Sequence, residues 1–241
     1  MAAMATSEHL PTLFCWTRFG AEAGQLTDQI LRRKEQERIA NNGIFLWGIG
    51  NAVGPGIREL VRRCDSPEVL FSPIMGAARK EDVTPESVVA WTLGETHDGK
   101  EYPLPSCSLV TSRQSASSPK AAHYALVCFS GESLVPSSPG LTLAFDTLRN
   151  LLSGRHVGAS QVTAVVARDS EALGKGRTYE VAFRAHLAYP YFIRLRQPVA
   201  LSLLGESDED WATAVESVWS QRVHQSLESG MFSNDAALLA R

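Results

Sequence analysis

Only four cysteines occur in the 241 residues, Cys15, Cys64, Cys107 and Cys128, and no two form a CxxC pair. None of the six histidines sits beside a cysteine at zinc-like spacing, so neither a structural metal nor a disulfide framework is expected. Cys15, Cys107 and Cys128 lie in the runs LFCW, SCSLV and ALVCF, where a free thiol packs as a small hydrophobe. No stretch approaches the roughly 18 uncharged apolar residues of a membrane span. The opening MAAMATSEHLPT has neither a basic start nor an apolar h-region, so a cytoplasmic protein is expected. An excess of one charge is missing too. Lys and Arg total 23 against 26 Asp and Glu, a net charge of −3, which excludes the broad basic footprint of a non-specific nucleic-acid binder but allows a local basic patch. Hydrophobic residues make up 44%, too many for a disordered chain.

Motifs that would name a reaction are also absent. There is no GxSxG elbow and no spacing that implies a Cys-His pair. The turn Gly48-Ile49-Gly50-Asn51-Ala52-Val53-Gly54 fits neither the dinucleotide fingerprint nor a P-loop, which ends in Lys-Ser or Lys-Thr. No cofactor is expected.

What is present is an alternation of short apolar runs with two early helical segments. LFCWTRF (13–19) is aromatic and free of turn residues, so it predicts a strand. The segment 21–42 predicts a helix with Leu26, Ile30, Leu31 and Ile39 on its apolar stripe, Glu35 and Glu37 belonging to a solvated RRKEQER face, and Gly43 as the stop. IFLWGIG (44–50) predicts a buried strand, IRELVRRC (57–64) a short helix and EVLFSPI (68–74) another strand. SVVAWTLGE, SCSLVTSR, HYALVCFS, QVTAVVAR, TYEVAFRAHLA and YFIRLRQPVAL predict further strands, with an Asp-Gly turn after the first. LAFDTLRNLLSG (143–154) predicts a helix stopped by Gly154. Residues 1–12 form a flexible start. Residues 207–230 predict a capped amphipathic helix docked on the core through Trp211, Val215, Val218 and Trp219, a surface that could also take a protein partner. Together these predict one α+β domain over 1–241, built on a curved, mostly antiparallel sheet or small mixed β-barrel with flanking helices.

Candidate chemistry gathers around the first strands. Alternation puts Trp16 and Arg18 on one face, and a tryptophan beside an arginine is a platform for a flat or anionic ligand; Trp47 joins them if its strand is a neighbour. Gly48, Gly50 and Asn51 precede a helix, where free N–H groups favour anions. Thr111-Ser112-Arg113 offers two hydroxyls and a guanidinium to an oxyanion. Ser160-Gln161 offers hydrogen bonds to a heterocycle edge. Each of these residues also has a plain structural explanation, as core, surface or loop cap. For proton transfer the candidates are His123 and Glu22.

The order of LFCWTRF, the helix to Asn42, FLWGIG, the short helix, VLFSPI and the strands to SLVTSR resembles the PUA-like superfamily, particularly its EVE and ASCH branches. That resemblance covers about half the chain and implies a small mixed β-barrel holding a base or nucleotide, with Trp16, Trp47, Ser72 and Arg113 lining the pocket. The greater length, the second half without a counterpart and the acidic net charge depart from such domains. Two functions stay open: a ligand-binding protein for a nucleobase or nucleotide, free or in nucleic acid, and a cofactor-free biosynthetic enzyme acting on a small molecule with an anionic group by elimination, ring closure or transfer. A scaffold role through the C-terminal helix is the third.

Overall fold

Strong strand formers without turn chemistry make LFCWTRF the first strand, β1 (Leu13–Phe19), of a computed structural model that describes residues 10–20, 27–74, 88–104, 112–113, 123–135, 141–169 and 176–200. There follow α1 (Thr27–Ala40), β2 (Ile44–Ile49), a 3-10 turn at Asn51–Val53, α2 (Gly54–Arg63) and β3 (Glu68–Pro73). Then come β4 (Val88–Glu95), β5 (Glu101–Pro103), β6 (Ser112–Arg113), β7 (His123–Phe129), β8 (Leu141–Ala144), β9 (Leu148–Asn150), β10 (Thr163–Arg168), β11 (Thr178–Val181) and β12 (Phe183–Ala200). The architecture is α+β, with an open mixed sheet in the order β2-β7-β12-β3-β1-β10-β9. Among the described strands only β1 and β3 pair in parallel.

The sheet curls. In a flat sheet β2 and β3, separated by β7 and β12, would lie roughly 14 Å apart at about 4.8 Å per strand. Yet the rings of Trp47 on β2 and Phe71 on β3 have centroids 4.7 Å apart. The long β12 makes this geometry. Its first residues pair with β3, its later ones with β7 and β4, and its register shifts between Leu187 and Phe192. Inside the curl lies the largest core, built on Phe45, Trp47, Phe71 and Phe183 and closed by Ile57 and Leu60 of α2. Outside it, Phe14, Trp16, Leu70 and Val166 pack under the separate two-stranded β8–β11 sheet, and Leu46, Val127 and Ile193 pack with Leu104 beyond β5.

Several expectations change. The segment 143–154 is no helix. Residues 141–144 pair with β11, a 3-10 turn follows at Phe145–Thr147, and 148–150 pair with β10, so cross-strand partners override local helix propensity. In α1, Ile39 is 63% exposed while Lys34 and Glu37 are buried, so the RRKEQER run is not wholly a solvated face. Helix α2 starts at Gly54, directly on the glycine-rich turn. Residues 10–12 are held, the carbonyls of Leu10, Pro11 and Thr12 accepting hydrogen bonds from Arg168. Leu26, Cys107 and the helix predicted at 207–230 lie outside the described residues. Among the described residues no helix is long and apolar enough to cross a membrane.

Candidate functional site

Trp16 and Arg18 share a face of β1, as alternation requires, but the indole is core rather than platform. Trp16 is fully buried, and its Nε1–H donates to the hydroxyl of buried Ser72 at 3.0 Å. Arg18, paired in register with Ser72, is half-buried at the rim and donates from Nη1 to the carbonyl of Ala159 at 3.1 Å. Its backbone N–H bonds to the carbonyl of Val162, so Ser160 and Gln161 border the same end of β1. The Gln161 amide itself donates to the carbonyl of Thr163 at 3.2 Å.

Trp47 does not belong with them. β2 is not a neighbour of β1, and Trp47 sits inside the curl with Phe19, Phe71 and Phe183, on the opposite face from Trp16. Arg113 is also elsewhere: its strand pairs with β4, opposite Val88, rather than with the strands flanking β1. Glu22 lies outside the described residues.

The glycine-rich turn leads to a second place. Gly48 and Gly50 are exposed, and a Cβ at Gly50 would meet nothing within 4 Å, so no close packing demands glycine there. The glycines that matter are further on. A Cβ at Gly54 would stand 3.0 Å from the Phe192 ring, and one at Gly56 3.0 Å from the Val165 side chain. These contacts seat the amino-terminal turn of α2 against β12 and β10. Val53 caps α2 without a side-chain hydrogen bond, and Pro55 in the first turn has no N–H to offer.

Beside that helix end opens a cleft of ≈ 400 Å³, lined by Ala52, Gly54, Pro55 and Arg58, by Glu95, Thr96 and His97, and by Tyr124, Phe192 and Arg194. That size lies within the range of small-ligand sites. Tyr124 and Phe192 stack with ring centroids 5.0 Å apart and planes 10° from parallel. Arg58 and Arg194 are exposed, and among the described residues neither has a carboxylate partner, because the nearby Glu95 pairs with Arg196 at 3.0 Å. His123 is not part of this cleft. It alternates with Tyr124 and so falls on the other face of β7, the side of Ala125 and Leu195, where burial pushes its imidazole pKa down. His97, in the turn after β4, takes its place at the cleft.

The cleft residues that residue reading passed over carried a faint signal. In FIRLR, Arg194 and Arg196 alternate with core residues Ile193 and Leu195, a strand with a basic outer edge. Arg58 stands in the first turns of α2, once that helix is begun at Gly54. Nothing local announces the Tyr124–Phe192 stack, which joins two strands distant in sequence. Comparison of the chain with known protein families, with curated proteins and with solved structures yields no match.

Proposed function

We propose that the protein binds a nucleotide, free or at an accessible position of a nucleic acid, in the cleft beside α2. The observation that carries this reading is the convergence of two guanidiniums lacking carboxylate partners, Arg58 and Arg194, on a concavity that also holds a helix amino terminus and the Tyr124–Phe192 stack. Guanidiniums and a helix start suit phosphate oxygens, and an aromatic edge suits a base. The site therefore moves from the Trp16–Trp47 strands to the α2–β7–β12 corner while the ligand class stays. The net charge of −3 favours a single nucleotide over a long duplex. A PUA-like architecture is part of the proposal, supported by the β-α-β-α-β opening with its parallel β1–β3 pair. So is a cytoplasmic location, supported by the unbridged, buried thiols of Cys15 and Cys128.

Calorimetric titration with nucleoside monophosphates tests it. Arg58→Ala and Arg194→Ala should each weaken binding about tenfold or more, the worth of a charge-assisted hydrogen bond, with melting temperatures close to that of the parent. Absence of binding, or binding indifferent to both arginines, overturns the reading. The presence of His97 beside the two arginines favours the enzyme as second reading, with His97 rather than His123 moving the proton on a substrate anchored by its anionic group. Turnover of a phosphate-bearing substrate that His97→Gln abolishes while binding persists would select it.

A further inference from the structure

The cleft beside α2 holds one group that phosphate binding does not call for, a carboxylate: Glu95 lines it together with Arg58 and Arg194. Strand register fixes where that carboxylate stands. Arg194 of β12 is paired with Tyr124 of β7 on one side and with Glu95 of β4 on the other. Residues directly opposite one another in a sheet share a face, with Cβ atoms about 4.5–5.5 Å apart. Tyr124, Arg194 and Glu95 therefore form a row across three strands, ring, cation and anion in turn, and all three border the cleft.

The contacts of this row leave the carboxylate available. Glu95 turns to Arg196 rather than to Arg194, its Oε2 lying 3.0 Å from Nη1, and among the described residues Oε1 has no partner. The neighbouring Thr96 hydroxyl is taken up within its own turn, by the Asp98 carboxylate and by the N–H and carbonyl of Lys100. At the other end of the row Phe192 packs on the main core and against Gly54, and so buttresses the Tyr124 ring stacked on it. An unshared carboxylate in a cleft for phosphate repels the ligand unless the ligand also brings hydrogen-bond donors.

We infer that Glu95 accepts hydrogen bonds from the vicinal 2′- and 3′-hydroxyls of a ribose, so that the cleft takes a ribonucleoside 5′-monophosphate. This rests on the nucleotide reading of the same cleft. Two hydroxyls on adjacent carbons match the two oxygens of a carboxylate, and such charge-assisted bonds are the strong ones. Glu95 also stands two steps along the row from Tyr124, about 9–11 Å between Cβ atoms, which sets it on the sugar side of a base stacked on that ring.

Calorimetric titration of the full chain in EDTA, with the four ribonucleoside 5′-monophosphates and their 2′-deoxy and 3′-deoxy forms, decides it. The ribonucleotide should bind about tenfold or more tightly than either deoxy form, since each loses a donor to a charged acceptor. That comparison needs no variant. Glu95→Gln, which keeps the shape and removes the charge, should erase most of the ratio, with a melting temperature close to the parent's because Arg196 is an exposed partner. Either deoxy form binding as tightly as the ribonucleotide, with Arg58→Ala still weakening both, overturns this contact and leaves the nucleotide reading standing. A ratio undiminished in Glu95→Gln overturns it too. A preference that follows the base and is equal across the three sugars assigns Glu95 to a base amino group, and binding only with added magnesium assigns it to a cation; each overturns the proposal. No binding by any of the nucleotides removes the nucleotide reading, and this contact with it.

Discussion

Among the described residues, Lys34 and Glu37 are the charged side chains that are buried, and their contacts explain why they are there. β2 is an edge strand with β7 as its strand partner among the described residues, so alternate N–H groups face away from the sheet. Glu37 Oε1 accepts one of them, from Leu46, at 2.8 Å, and Oε2 accepts from Lys34 Nζ at 2.6 Å. Burial pulls the Lys34 pKa down to about 8, opposed by the adjacent Glu37 carboxylate. Removing the carboxylate would take the counter-charge from a buried ammonium and the acceptor from a strand amide. Glu37→Ala is therefore expected to cost about 3–5 kcal/mol in urea unfolding. The double change Lys34→Met with Glu37→Gln keeps an acceptor for Leu46 and removes the charges, and should lie within about 1–2 kcal/mol of the parent. Equal losses for the two variants would show that the charge pair itself, not the partner left behind, is what matters.

Element by element, α1 does more than cover an edge. Its Glu35 and Arg38 form a two-point ion pair, at 2.8 and 2.9 Å, that also holds the segment after β7. The Leu134 N–H donates to Glu35 Oε2 at 2.9 Å. Arg38's hydrogen bonds, with the Leu134 amide, hold the Glu35 pKa down to about 2 against the burial that raises it. A carboxyl lowered on folding stabilises the folded state above its ordinary pKa, near 4.5, and that contribution is lost as pH falls through the folded value. Glu35→Gln should thus lower stability by about 1 kcal/mol at pH 7, the upper range for a solvent-touched pair. The gap between variant and parent should close between about pH 5 and pH 2. Urea midpoints across that range measure it, and a gap that stays constant with pH would mean that Glu35 acts as a neutral hydrogen-bond acceptor. The same element scale governs α2, where Gly54 and Gly56 allow the helix to approach β12 and β10 closely enough to form one wall of the cleft.

For the whole molecule, strand order is the reverse of a modular arrangement. β1, β2 and β3 come from the first third of the chain, yet β10, β7 and β12 from the second half supply their remaining partners. The core inside the curl likewise joins Cys15, Phe45 and Phe71 to Leu126, Val165 and Phe183. A chain ended after Gln114 leaves β2 without β7 and exposes the faces of Phe45 and Trp47. It should fail to give a cooperative thermal transition, while the full chain unfolds in one. A truncated chain that stays monomeric with dispersed amide resonances would contradict this single-unit picture.

Most strands were legible because each is a short run of β-branched and aromatic residues with turn residues around it; β1, β3 and β7 fall within a residue of their expected bounds. The shared face of Trp16 and Arg18 followed from alternation alone. By contrast, 143–154 has helical spacing in sequence and becomes strands because β10 and β11 supply ladder partners that no local window contains. Trp47 parted from Trp16 because the face a side chain takes is local, but which strand lies beside it is not; His123 misses the cleft because it alternates with Tyr124, which faces it. The sequence by itself therefore determined composition class, the α+β character and the alternation of each strand. Only the tertiary structure decided the curl, the buried Lys34–Glu37 pair and the meeting of Arg58 with Arg194, because each depends on residues brought together by pairing over long sequence distances.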